Sequence, residues 1–186
     1  MGFSQEDESE KPEAAWENPV LVIVRGIKYN ESYKMLTGGI CMGSYLNPGN
    51  EAFAVALNSE IYVDKTGLLT YTNKVMNTLQ GYICNSRPRR FGKSFAANML
   101  AAYYSKGCDS RKMFSGLAIS QTADFEKHLN QYDVIHLDIQ WFLSNVSDPE
   151  QIVAYITECT LAELRTIYAD QLPPEVSTVP DALSPL

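Results

Sequence analysis

The chain has 186 residues, 45% hydrophobic, 11% aromatic and 20% charged, the make-up of a globular protein with a packed core, which excludes a disordered or fibrous one. Its 15 Lys and Arg stand against 22 Asp and Glu for a net charge of −7, so the surface as a whole repels nucleic acid and anionic membranes, and any anion site must be a local exception. No apolar run approaches the roughly 20 residues of a membrane span, and the acidic start lacks the basic-then-apolar order of a secretory signal, which makes the cytoplasm the expected compartment.

In chain order, Glu6, Asp7, Glu8, Glu10, Glu13 and Glu17 outnumber the base Lys11, so the start reads as a solvated tail. Residues 1–41 as a whole read as a poorly ordered extension with one short strand over 20–24. From Met42 the texture changes. Asn47-Pro48-Gly49 turns the chain, and Asn50 offers a cap to a short helix carrying Phe53, Val55, Ala56 and Leu57. Ile61-Tyr62-Val63 predicts a brief strand, after which Asp64 supplies a capping oxygen to a helix over 66–76. Tyr82-Ile83-Cys84 predicts a buried strand. A basic loop follows, then a helix over 93–104 with Phe95, Met99 and Tyr103 on one stripe, ended by Gly107.

Downstream come a short apolar piece over 114–119, one or two helical turns over 125–129, and a buried strand over 134–137 that ends in Asp138. Asp148-Pro149 opens a long helix running to about 170, with Ile152, Tyr155, Ile156, Cys159 and Ala162 on its apolar face. Alternating strands and helices predict an α/β fold with a parallel sheet flanked by helices. Cys41, Cys84, Cys108 and Cys159 form no CxxC pair and read as unpaired, buried thiols. His128 and His136 lack a second ligand at metal spacing, and Tyr103, Tyr104, Trp141 and Phe142 read as core.

The chemistry lies in Ser86-Arg87-Pro88-Arg89-Arg90-Phe91-Gly92-Lys93-Ser94, between a predicted strand and a predicted helix, the setting of a phosphate-binding loop. Backbone N–H groups at a helix start point at phosphate oxygens, and the helix dipole favours negative charge there. Gly92 lets the backbone approach, the Lys93 ammonium reaches the β and γ phosphates, and the Ser94 hydroxyl takes a position on Mg²⁺. The pattern departs from G-x-x-x-x-G-K-[ST] in having Arg87 at the first glycine. The cations Arg87, Arg89, Arg90 and Lys93 call for an anion, which a nucleoside triphosphate, a nucleic-acid backbone or a carboxylate on a protein partner could supply. Few aromatic residues interleave with them, which favours the triphosphate.

Met42-Gly43-Ser44-Tyr45-Leu46-Asn47-Pro48-Gly49-Asn50, Tyr62-Val63-Asp64-Lys65-Thr66, the 86–94 loop, Ala101-Ala102-Tyr103-Tyr104, Met113-Phe114-Ser115-Gly116-Leu117 and the stretch 133–138 together resemble the bacterial AAA-ATPase-like family. The arginine at the first glycine is that family's usual form. The resemblance implies a P-loop NTPase domain over 42–186 that binds ATP with Mg²⁺, and full-length members often carry a PD-(D/E)XK nuclease-like C-terminal domain. Position by position, Gly92, Lys93 and Ser94 match the phosphate and magnesium residues, and Arg89, Arg90 and Phe91 share their loop. Asp64 and Lys65 match a motif with no assigned role.

Residues 1–41 have no counterpart in the resemblance. The family's Walker B strand, ending in Asp-Glu, is expected beyond the helix that follows Asp138, so the domain reads as incomplete at its C-terminus, binding ATP with little or no hydrolysis of its own. Asp138 is followed by Ile139, not a second acid; it is the candidate for holding the metal's water shell, with strand-end capping as its other role. The alternative functions are a nucleic-acid or protein interaction module using the 87–93 loop, and a nonfunctional gene fragment.

Overall fold

The apolar, β-branched run at Val134–Asp138 forms a strand, β2, and pairs in parallel with β1, Leu21–Arg25, with Leu21 opposite Val134 and Arg25 opposite Asp138. The computed structural model describes residues 44–86, 88, 91–169 and 172–183, together with the backbone of 21–25. The rest of the described chain is mostly helical: α1 Glu51–Leu57, α2 Gly67–Val75, α3 Lys93–Tyr104, α4 Arg111–Phe114, α5 Phe125–His128, α6 Ile139–Ser144, α7 Ile152–Ile167 and α8 Val179–Leu183. Two 3-10 turns, Ala118–Gln121 and Pro149–Gln151, complete it.

Helix α3 is the central element. It lacks Gly and Pro between Lys93 and Tyr104, and its alanines let neighbours come close on several sides. Ala96, Ala97, Met99, Ala101, Ala102, Tyr103 and Tyr104 are all buried, so the helix is covered nearly all round, with α1 and both strands against it. Phe53 stacks on Phe114 at 4.9 Å between ring centroids, and Tyr103 meets Phe114 edge-on at 5.3 Å. The buried tyrosines keep polar partners. Tyr104 OH donates to Asn73 Oδ1 at 2.6 Å and lies 2.5 Å from Thr72 Oγ1, while Tyr103 OH donates to the Phe125 carbonyl at 2.9 Å. The Tyr104 bonds lock α2 to α3, and the Tyr103 bond ties α3 to α5. A second apolar cluster joins Leu46 and Ile135 to Leu161 and Leu164 of α7, Leu172, and Ala182 of α8.

The expected sheet is corrected in part. Among the described residues it has two strands, β1 and β2, and the predicted strands at 61–63 and 82–84 do not form. The reason lies at β2, whose two edges are both occupied. One pairs with β1. The other meets Leu46 in an antiparallel bridge, where the His136 N–H donates to the Tyr45 carbonyl and the Asn47 N–H to the Val134 carbonyl, each at 2.7 Å. With no free edge there, Tyr82-Ile83-Cys84 runs extended with its side chains exposed, Tyr82 at 98%. Ile61 and Val63 are exposed as well, and only Tyr62 between them turns inward.

Other expectations shift by smaller amounts. Asn50 stands before α1, but its amide donates to the Asp109 carbonyl at 3.0 Å and to Ser110 Oγ at 2.8 Å rather than capping the helix. Helix α3 ends at Ser105, and Gly107 serves a close approach: a β-carbon there would lie 2.6 Å from the Asn47 carbonyl oxygen. Asp148 caps the Pro149–Gln151 turn as expected. On α7 the deepest residues are Thr160, Leu161 and Leu164, while Ala162 faces solvent. Cys84 is exposed, Cys108 and Cys159 are half-buried, and Cys41 lies outside the described residues. The strand expected over 20–24 appears as β1; apart from those residues the 1–41 extension also falls outside the described set.

His128 is buried, stacked on Tyr132 at 5.8 Å and hydrogen-bonded to its hydroxyl. Burial holds its pKa below the ordinary 6.5, with Asp124 opposing and Lys127 reinforcing the shift. The unfolded chain therefore takes up a proton near pH 6.5 that the folded chain refuses until lower pH, and stability falls as pH drops through that window. Urea midpoints between pH 8 and pH 5 should decline more steeply for the wild type than for His128→Gln.

Candidate phosphate-binding site

Gly92 opens α3 with φ 80° and ψ 29°, the left-handed region that glycine adopts without strain. The first helical turn that follows carries Lys93, Ser94 and Phe95, contains no acidic residue, and has no side-chain cap. Its N–H groups are those that the helix itself leaves without partners, and they carry the positive end of the dipole. Phe91, just outside, is 61% exposed. Arg89 and Arg90, like Arg87, lie outside the described residues.

A second segment arrives beside this turn. A β-carbon on Gly92 would lie 2.8 Å from the Lys65 Nζ, so the Lys65 ammonium rests directly over the start of α3, 5.6 Å from the Phe95 ring centroid. The residues around Lys65 fix it there. Asp64 Oδ1 accepts from the Thr66 N–H at 2.8 Å and from Thr66 Oγ1 at 2.7 Å, an Asx turn, and Asp64 Oδ2 accepts from the Ala118 N–H at 2.8 Å. Thr66 is fully buried, and its Oγ1 accepts from the Ile119 N–H at 3.1 Å. Burial by itself pushes the Asp64 carboxyl up, but the three donors from Ala118 and Thr66 outweigh it and hold the pKa below the usual value. Tyr62 backs the clip, with its ring 5.8 Å from Phe95 and its hydroxyl pushed up to about 12 by burial and by the Asp64 charge.

The structure thus brings Gly92, Lys93 and Ser94 together with Lys65, which the sequence singled out without a role. The signal was present in the Asp-Lys-Thr spacing, where two side chains that favour local backbone bonds flank a cation. The bonds that aim Lys65 go to Ala118 and Ile119, more than fifty residues away, and no local pattern could reveal them. Asp138 stands at the end of β2. Its Oδ1 accepts from the N–H groups of Gln140 at 3.1 Å and Trp141 at 3.3 Å, the capping role for α6. Among the described residues no group of three or more His, Cys, Asp or Glu could hold a metal ion, and no helix is long and apolar enough to cross a membrane. The donor set at α3, made of N–H groups, ammonium groups and one hydroxyl, suits an oxyanion.

The model of the AAA-ATPase-like family, described as predicted AAA-ATPase, matches residues 51–181, which take in the clip, the loop and α3. The chain belongs to this family. No curated protein and no solved structure matches it.

Proposed function

We propose that this chain binds ATP as its Mg²⁺ complex at the start of α3, through a variant Walker A loop. Arg89, Arg90 and Phe91 belong to the nucleotide-binding loop, the N–H groups after Gly92 receive phosphate oxygens, Lys93 holds the β and γ phosphates, and the Ser94 hydroxyl supplies an oxygen to Mg²⁺. The observation that carries this reading is the uncapped, acid-free first turn of α3 opened by a left-handed Gly92, inside the span matched by the family. Residues 42–186 then belong to a P-loop domain, and α3 lying against the parallel pair β1 and β2 supports a P-loop NTPase-like arrangement. Binding, not turnover, is the property to measure, because Asp138 Oδ1 is engaged as the α6 cap.

A ligand that binds only the folded state stabilises it by about 2.7 kcal/mol at a hundred times its Kd. For a chain of this size that is a Tm rise of about 5–10 °C. Millimolar MgATP should produce this shift in the wild type, and Lys93→Ala should abolish it. An unshifted wild type overturns the proposal.

A further inference from the structure

Resting on the nucleotide reading above, we propose that Lys65 is a second polyphosphate ligand of this site, placing its ammonium on the anion beside that of Lys93. A cation is the wrong charge for a helix N-terminus. Yet Lys65 Nζ lies where a β-carbon on Gly92, the residue before Lys93 in the chain, would all but touch it, and the first turn of α3 offers no acid to balance it. The nearest carboxylate in sequence, Asp64, has both oxygens engaged by Thr66 and Ala118. Among the described residues Lys65 makes no ion pair, and its contact there is the face of Phe95. A long, flexible side chain is held against electrostatic preference: its neighbours Asp64 and Thr66 bond the Ala118–Gln121 turn, while its own ammonium lies at Gly92. A polyanion removes the conflict. Two ammonium groups and one helix end suit a ligand with phosphate groups in series better than one with a single phosphate.

The test is calorimetric titration of the full chain with MgATP, AMP and inorganic tripolyphosphate, for wild type, Lys65→Met, Lys65→Gln and Lys65→Arg. Methionine and glutamine keep much of the stem over Phe95 and remove the charge. The expected result is a ten- to hundredfold loss of affinity for ATP and for tripolyphosphate in both, the range of a hydrogen bond to a charged group. AMP should change little, and Lys65→Arg should recover most of the loss. The Tm of the unliganded Met and Gln variants should stay level or rise, which a structural lysine would not allow. Unchanged ATP affinity in folded Lys65→Met and Lys65→Gln overturns the role of Lys65 and leaves the nucleotide reading standing. Wild-type binding of tripolyphosphate without ATP, weakened by both variants, sinks the nucleotide reading and keeps Lys65. Failure of the wild type to bind any of these probes sinks both.

Discussion

Phe114→Ala should lower stability by about 3–5 kcal/mol, the cost of emptying a filled aromatic site in a core that relaxes only in part. Phe114 is fully buried on the four-residue helix α4, too short to persist without the contact it makes. Its ring stacks on Phe53 from α1 and receives the edge of Tyr103 from α3, so one side chain joins three helices. Truncation leaves a void that none of the three can close without moving its own backbone. The Tm should fall by about 6–20 °C. Phe114→Leu, which keeps part of the volume, should lose clearly less, and equal losses for the two would contradict the cavity account.

Asp133→Ala should cost about 3 kcal/mol by a different route. Asp133, 6% exposed, accepts from Asn47 Nδ2 at 2.7 Å, from Lys106 Nζ at 2.5 Å and from the Tyr168 hydroxyl. Burial, with the bond to Asp133 adding to it, pushes the Tyr168 hydroxyl well above its usual pKa, so it stays a donor at any working pH. Without the carboxylate the Asn47 amide and the Tyr168 hydroxyl lose an acceptor in a place water reaches poorly, while Lys106, 41% exposed, recovers hydration. Asn47 stands at φ 48° and exchanges two hydrogen bonds with Val134, so the damage reaches the edge of β2. Asp133→Asn should restore only part of the loss, because its amide has one acceptor oxygen. A drop in urea midpoint shared equally by both variants would mean that the charge alone matters.

The helices with strong local signals were legible in the sequence. The cap at Asp148 with its following proline, the apolar stripe of α3 and the buried run of β2 are set by neighbours within a few residues, and they appear where expected. The segments 61–63 and 82–84 carry equally good strand residues, yet strand propensity measures fit to a pleated, partly covered surface, and neither edge of β2 was free to pair with them. That depended on Leu46 and β1 taking both edges of β2, a fact of tertiary pairing. The site divides in the same way. Gly92, Lys93 and Ser94 stand at the helix start that the sequence predicts, whereas Lys65 is brought to Gly92 beside the Asp64 and Thr66 bonds to the Ala118–Gln121 turn.

The unpaired stretch before the loop has an energetic consequence. Helix α3 is gripped along its whole flank, but the chain that leads into its first turn descends from Tyr82-Ile83-Cys84, whose side chains stand in water beside no strand. Holding such a segment in one conformation costs about 1–2 kcal/mol of backbone entropy per residue, and the Tyr82 ring, 98% exposed, buries almost nothing to offset it. The stability of this region therefore resides in α3 and its buried neighbours rather than in the extended stretch that precedes it.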